Sequence, residues 1–162
     1  MKVFLSGFMA AGKSAVGREL APLLEARFVD LDLEVESMAG TTIRAIFAEQ
    51  GEPAFRSLES EALRTSIVTD PLVMALGGGT VLDEDNRRLI RNSGLLVWLD
   101  TRRSTILDRL EQEGGRPLFE GREQAMSLLE ARSEAYRDCD LQLRPLPDEN
   151  AAETAARIAT RL

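Results

Sequence analysis

Residues 7–14 read Gly-Phe-Met-Ala-Ala-Gly-Lys-Ser and fit the pattern G-x-x-x-x-G-K-[ST] without a gap. Few local sequences constrain a fold as tightly. Such a loop works only between a strand and a helix. Its backbone amides curl inward to meet phosphate oxygens, and the helix that follows adds the partial positive charge of its N-terminus. The flanks supply both elements. Val3-Phe4-Leu5 is a short apolar run ending at Ser6-Gly7, which predicts a buried strand. From Lys13 to Leu24 the apolar residues Val16, Leu20, Leu23 and Leu24 recur at helical spacing. In this geometry Gly7, Ala10, Ala11, Gly12 and Ala15 line the phosphates. Lys13 reaches the β- and γ-phosphates, and Ser14 offers a hydroxyl to Mg²⁺.

The rest of the chain repeats the alternation. Phe28-Val29 predicts a second strand that ends in Asp30-Leu31-Asp32. Residues 33–68 read as helix, interrupted near Gly40-Thr41 and Gly51-Glu52-Pro53. Leu72 to Leu76 is a third strand that stops at Gly77-Gly78-Gly79. A helix over 83–92, a strand over 95–99 and a helix over 104–113 capped by Ser104 follow. Gly114 to Arg122 reads as a loop, then a helix over 123–136, a strand over 141–143 and a closing helix over 151–162. Continuous apolar strands separated by amphipathic helices predict a parallel sheet covered on both faces, with ligands at the carboxyl ends of its strands. The length of 162 residues predicts one domain.

Composition narrows the chemistry. The chain has no histidine and one cysteine, Cys139. That excludes imidazole bases, Ser-His catalysis and thiolate metal cages. Phosphoryl transfer survives the exclusion, because it rests on positioning and electrostatics. The net charge of −7 argues against a nucleic-acid-binding face, and no apolar run is long enough to span a bilayer. No guanine-reading Asn-Lys pair occurs anywhere. A small nucleoside-triphosphate-dependent kinase is the class that remains. A nucleotide-binding regulatory module without catalysis is the alternative from another class.

The acceptor side offers several candidates, each with an ordinary structural reading beside it. Asp30 and Asp32, two apart in an extended segment, would point their carboxylates to one side; equally, they would cap the helix after them. Arg56 can bind a carboxylate in bidentate fashion with Glu59 holding it, or form a surface ion pair. Gly77, Gly78 and Gly79 suggest close approach of backbone to ligand, or a flexible turn. Arg116 in Arg116-Pro117-Leu118 can meet phosphoryl charge, or be a solvated loop charge. Arg132 and Tyr136 share a helix face, so Arg132 can be a second anion clamp or surface charge.

Taken in order, these segments resemble the shikimate kinase family. Ser6 to Gly17 looks like its nucleotide loop. Phe28-Val-Asp-Leu-Asp32, Ile46-Phe47, Gly51-Glu52, Phe55-Arg-x-x-Glu59, Leu76-Gly-Gly-Gly79, Arg116-Pro-Leu118 and Arg132-x-x-x-Tyr136 follow across nearly the whole chain. The resemblance implies a three-layer αβα fold of the P-loop, nucleoside-monophosphate-kinase type, with a five-stranded parallel sheet. It implies a substrate-binding helical segment at about 32–62 and a lid at about 112–124. The implied activity is transfer of phosphate from ATP, with Mg²⁺, to the 3-hydroxyl of shikimate on the route to chorismate and aromatic amino acids.

The resemblance also assigns roles. Asp32 holds the acceptor hydroxyls and is the candidate base. Arg56 and Arg132 grip the carboxylate, with the Gly78 amide assisting beside Gly77 and Gly79. Lys13 and Arg116 stabilise the phosphoryl group. Ser14 binds Mg²⁺, and Asp30 does so through water. Arg109 stacks on adenine. A cytoplasmic monomer with no nucleic-acid or membrane partner is expected. Two positions depart from the family pattern: Ala10 stands for a glycine and Ala15 for a threonine. No residue between Arg144 and Asn150 matches an adenine loop. A kinase for another hydroxylated acid, such as gluconate, is the nearest rival.

Overall fold

The structure is a computed structural model, and it describes residues 1–112 and 121–162. Five strands among these residues form one sheet: β1 (Lys2–Ser6), β2 (Arg27–Asp30), β3 (Leu72–Ala75), β4 (Leu95–Leu99) and β5 (Leu141–Leu143). Their order is β2-β3-β1-β4-β5, and every neighbouring pair is parallel. The central strand β1 sets Val3, Phe4 and Leu5 beside Val73, Met74 and Ala75 of β3. On its other side Val3, Phe4 and Leu5 pair with Leu95, Leu96 and Val97 of β4. The fold class is the one the apolar runs predict.

Among the described residues seven α-helices cover the sheet: α1 (Lys13–Leu23), α2 (Leu31–Ala39), α3 (Ile43–Ser66), α4 (Glu84–Ser93), α5 (Arg103–Gln112), α6 (Arg122–Arg137) and α7 (Ala151–Ala159). Side-chain alternation along the strands splits the core in two. Val3, Leu5, Val73, Val97 and Leu99 pack against Val16, Leu20, Ala155 and Ile158 of α1 and α7. Phe4, Leu72, Met74, Leu96 and Trp98 pack against Val35, Leu63, Ile90, Ile106 and Tyr136 of the remaining helices. Most of these side chains are fully buried, each contributing about 1.5–3 kcal/mol relative to exposure. The closeness of α1 to the sheet explains Gly17, where a Cβ would lie 2.4 Å from the Phe28 ring.

Several local expectations need correction. Leu23 ends α1 on the solvent side rather than in the core. Ser104 is the second residue of α5, not its cap. Asp32 is not in an extended segment: β2 stops at Asp30 and α2 begins at Leu31, so Asp32 sits in the helix's first turn. The helical stretch does break at Gly40, which ends α2 in a left-handed conformation. Gly51, at φ 83°, kinks α3. Of the expected lid, Gln112 ends α5 and residues 122–124 open α6, while residues 113–120, including Arg116, lie outside the described residues.

Candidate active site

The loop of residues 7–12 leaves the carboxyl end of β1 and enters α1 at Gly12, whose φ of 99° suits a residue without a side chain. Ala10 adopts φ 60° in the same turn. Holding an alanine in this left-handed conformation costs about 1–2 kcal/mol. Contacts from outside fix the loop. Thr101, just after β4, donates its hydroxyl to the Ala11 carbonyl at 2.7 Å, and Arg109 on α5 donates to the Ala10 carbonyl at 2.8 Å. Lys13 is buried, and its Nζ donates to the Gly7 and Phe8 carbonyls at 2.9 Å each. No side chain caps α1. A helix N-terminus without such a cap favours an anion.

At the carboxyl end of β2, Asp30 performs two tasks. One carboxylate oxygen accepts from the Asp32 amide at 3.2 Å, capping α2. The other accepts from the Ser14 hydroxyl at 2.5 Å. The capping reading of this residue therefore holds, and its second oxygen stands beside Ser14. Asp32 points at the glycine turn: a Cβ on Gly77 would lie 3.0 Å from its Oδ1.

A cavity of about 350 Å³ joins these groups. Its walls include Ala10, Gly12, Lys13, Ser14 and Ala15 of the loop, Asp30 and Asp32, and Gly78. Arg109 lines it too, as do Pro145, Glu149, Asn150, Ala151 and Thr154, which the sequence reading did not assign. A local signal was present. Asn150 caps α7 in a reciprocal capping box with Glu153, and the pattern Asn-x-x-Glu marks a helix start close after β5.

The acceptor side is built around residues 77–79, at the carboxyl end of β3. Arg56 on α3 donates to the buried Glu59 carboxylate at 2.7 Å and to Glu52 at 3.3 Å. The second Glu59 oxygen accepts from Thr80 Oγ1 at 2.6 Å. The buried carboxylate is thus paired and hydrogen-bonded. Space at the turn is tight. A Cβ on Gly79 would fall 2.5–2.8 Å from the Arg56 guanidinium, and one on Gly77 would fall 2.5 Å from Glu59 Oε1. Arg132 on α6 reaches the turn from another direction. Its Nη1 would lie 3.6 Å from a Cβ on Gly78, and its guanidinium stands 5.9 Å from the Phe8 ring centroid. Arg132 is only 8% exposed, and its Nε has no hydrogen-bond partner among the described residues. A further cavity of about 550 Å³ flanks Arg56 and Gly79. The glycine turn therefore stands between two cavities, touching one through Gly78 and the other through Gly79.

A phosphate loop with its lysine, facing an arginine-lined turn across an aspartate, defines a small-molecule kinase of the P-loop class. Comparison with known proteins narrows the class. A model of the shikimate kinase family matches residues 9–162. The chain is 39% identical to the shikimate kinase of Cereibacter sphaeroides, over 99% of this chain and 79% of that protein. It is 38% identical to that of Persephonella marina, over 87% of each. The solved shikimate kinase from Acinetobacter baumannii in complex with shikimate superposes with a TM-score of 0.92 at 33% identity, covering 99% of this chain and 91% of that one. The chain belongs to the shikimate kinase family. It is a kinase that phosphorylates shikimate with ATP in aromatic biosynthesis.

Proposed function

We propose that the transferred phosphate goes to the 3-hydroxyl of shikimate and that the residues around the glycine turn hold this acceptor. The observation that carries the reading is the convergence of Arg56 and Arg132, from α3 and α6, on residues 77–79. One of these arginines, Arg132, is buried with an Nε that has no hydrogen-bond partner among the described residues. A buried guanidinium without a full set of acceptors calls for an anion, and a planar carboxylate matches its fork. ATP occupies the cavity over Gly7, Ala10, Ala11, Gly12, Lys13, Ser14 and Ala15, with its base toward Arg109 and Pro145. Asp32, between that cavity and Gly77, accepts the hydrogen bond of the reacting hydroxyl and takes its proton as transfer proceeds. Lys13 and, through its Arg-Pro-Leu motif, Arg116 stabilise the charge on the phosphoryl group.

Among the described residues no group of three or more carboxylate or thiol side chains forms a metal cage. Mg²⁺ needs none, because it keeps several waters and binds through phosphates with one or two protein oxygens. The Ser14 hydroxyl beside the Asp30 carboxylate fits that demand. Ser14 would be the direct ligand and Asp30 would act through water. The ion supplies charge neutralisation on the phosphates.

No helix among the described residues is long and apolar enough to cross a membrane. We take the enzyme to be one domain with residues 32–62 as its acceptor segment and a lid near 112–124. We take it to act as a cytoplasmic monomer on small molecules without nucleic acid or membrane.

Arginine substitutions test the clamp. Arg132→Ala is expected to cost about 2–5 kcal/mol in kcat/KM for shikimate, since its site is desolvated. Arg56→Ala should cost less, about 1.5–3 kcal/mol, because its side chain is 29% exposed. The KM for ATP should stay close to the parent value in both. Steady-state kinetics with each substrate varied in turn decide. Unchanged shikimate kinetics in both variants would remove the clamp from the account.

A further inference from the structure

The three carbonyls of the glycine turn are all engaged by protein. Gly77 accepts from the Thr80 amide at 3.2 Å and Gly79 from the Leu82 amide at 3.0 Å. Between them, the Gly78 carbonyl accepts a short hydrogen bond from the Tyr136 hydroxyl. The amides show the opposite pattern. Neither the Gly78 nor the Gly79 N–H has an acceptor among the described residues. In a trans peptide the N–H points away from the preceding C=O. Fixing the Gly78 carbonyl from the α6 side therefore aims the Gly79 N–H away from α6, and Gly79 itself lies against the Arg56 guanidinium.

Tyr136 is itself held. Its ring is 2% exposed and stacks on Trp98 of β4, with centroids 6.0 Å apart and planes at 29°. Burial pushes the phenol up to about 12, against the opposing influence of Arg132. The hydroxyl therefore keeps its proton and stays a donor wherever the enzyme works. Arg132 lies one helical turn before Tyr136, so α6 delivers an anion clamp and a backbone clamp to the same turn.

We infer that Tyr136 is a positioning residue for the acceptor: its hydroxyl locks the Gly78–Gly79 peptide so that the amides of the turn are presented, alongside Arg56 and Arg132, to the acceptor's anionic group. This rests on the reading that the glycine turn receives shikimate. Tyr136 touches neither substrate directly. Its effect falls on acceptor binding and leaves the nucleotide side alone.

The test uses two facts of composition: Tyr136 is the only tyrosine and Trp98 the only tryptophan in the chain. Tyr136→Phe keeps the stack and removes the hydroxyl. The expected result is a shikimate KM raised about tenfold, the worth of one hydrogen bond near a charged group. The KM for ATP should be unchanged, and binding followed by Trp98 emission should weaken by the same factor. In the unaltered chain, biosynthetic 3-fluorotyrosine places one fluorine at Tyr136. Its ¹⁹F resonance should move on adding shikimate and stay in place on adding ADP. Arg132→Ala, measured in parallel, separates the failures. If Arg132→Ala loses shikimate and Tyr136→Phe does not, the inference falls while the clamp stands. If neither variant changes shikimate binding, both fall. A Tyr136→Phe protein that loses ATP and shikimate alike, together with melting temperature, assigns the hydroxyl to packing and overturns the inference. A fluorine resonance indifferent to shikimate does so without any substitution.

Discussion

Replacing Lys13 by methionine is expected to lower kcat by about 10²–10³-fold, the usual loss when one preorganised donor to transition-state charge is removed. The buried Lys13 ammonium is held by the Gly7 and Phe8 carbonyls at the mouth of the phosphate loop. That arrangement keeps a full positive charge inside the cavity before any substrate arrives. Methionine retains the length and packing of the stem and loses the charge together with the two hydrogen bonds it donates. Circular dichroism should change little, and the fall in melting temperature should be small beside the kinetic loss. Lys2, the only other lysine, sits at the start of β1. Lys2→Met serves as a control and should leave turnover intact. Turnover by Lys13→Met equal to that of the parent would move the transferring phosphate away from this loop.

Asp32→Asn is expected to be comparably damaging, by about 10²–10⁴-fold in turnover, the range associated with a positioned general base. The amide keeps the size of the side chain and abolishes its proton affinity. Stability should fall by no more than about 0.3–1 kcal/mol, because Asp32 also lies in the first turn of α2, where a negative charge favours the helix. The ratio of the two effects is the useful quantity. Chemical denaturation and single-turnover kinetics on the same preparation measure it. Single-turnover rates equal to the parent in a folded Asp32→Asn protein would show that transfer proceeds without a base at this position.

The elements that can be read from the chain are those whose signal is local. Val3-Phe4-Leu5, Leu72 to Ala75 and Leu95 to Leu99 are continuous apolar runs because both faces of their strands are buried, and each is a strand. The phosphate loop is legible because its glycines, lysine and serine are all needed within eight residues. What is hidden depends on distance along the chain. Arg109 meets a loop carbonyl 99 residues away, and Tyr136 meets one 58 residues away. No spacing rule reaches so far. The wall of the cavity at Pro145 to Thr154 is hidden for a similar reason. It belongs to the site only because β5 lies next to β4 at the edge of the sheet. Asp30 and Asp32 fall between the two cases. Their place at a strand end is legible, but the strand stops at Asp30, two residues earlier than an extended reading of the pair requires. Capping of α2 by Asp30 then turns Asp32 toward Gly77.

The most direct measurement is release of ADP by the purified chain with Mg²⁺ and ATP in three mixtures: shikimate, gluconate, and no acceptor. Phosphorus NMR on the shikimate mixture locates the product phosphate. The account predicts ADP release that depends on shikimate and matches it mole for mole, with the new phosphate on the 3-hydroxyl. It predicts little release in the other two mixtures. Equal release without any acceptor, or faster release with gluconate than with shikimate, would contradict it.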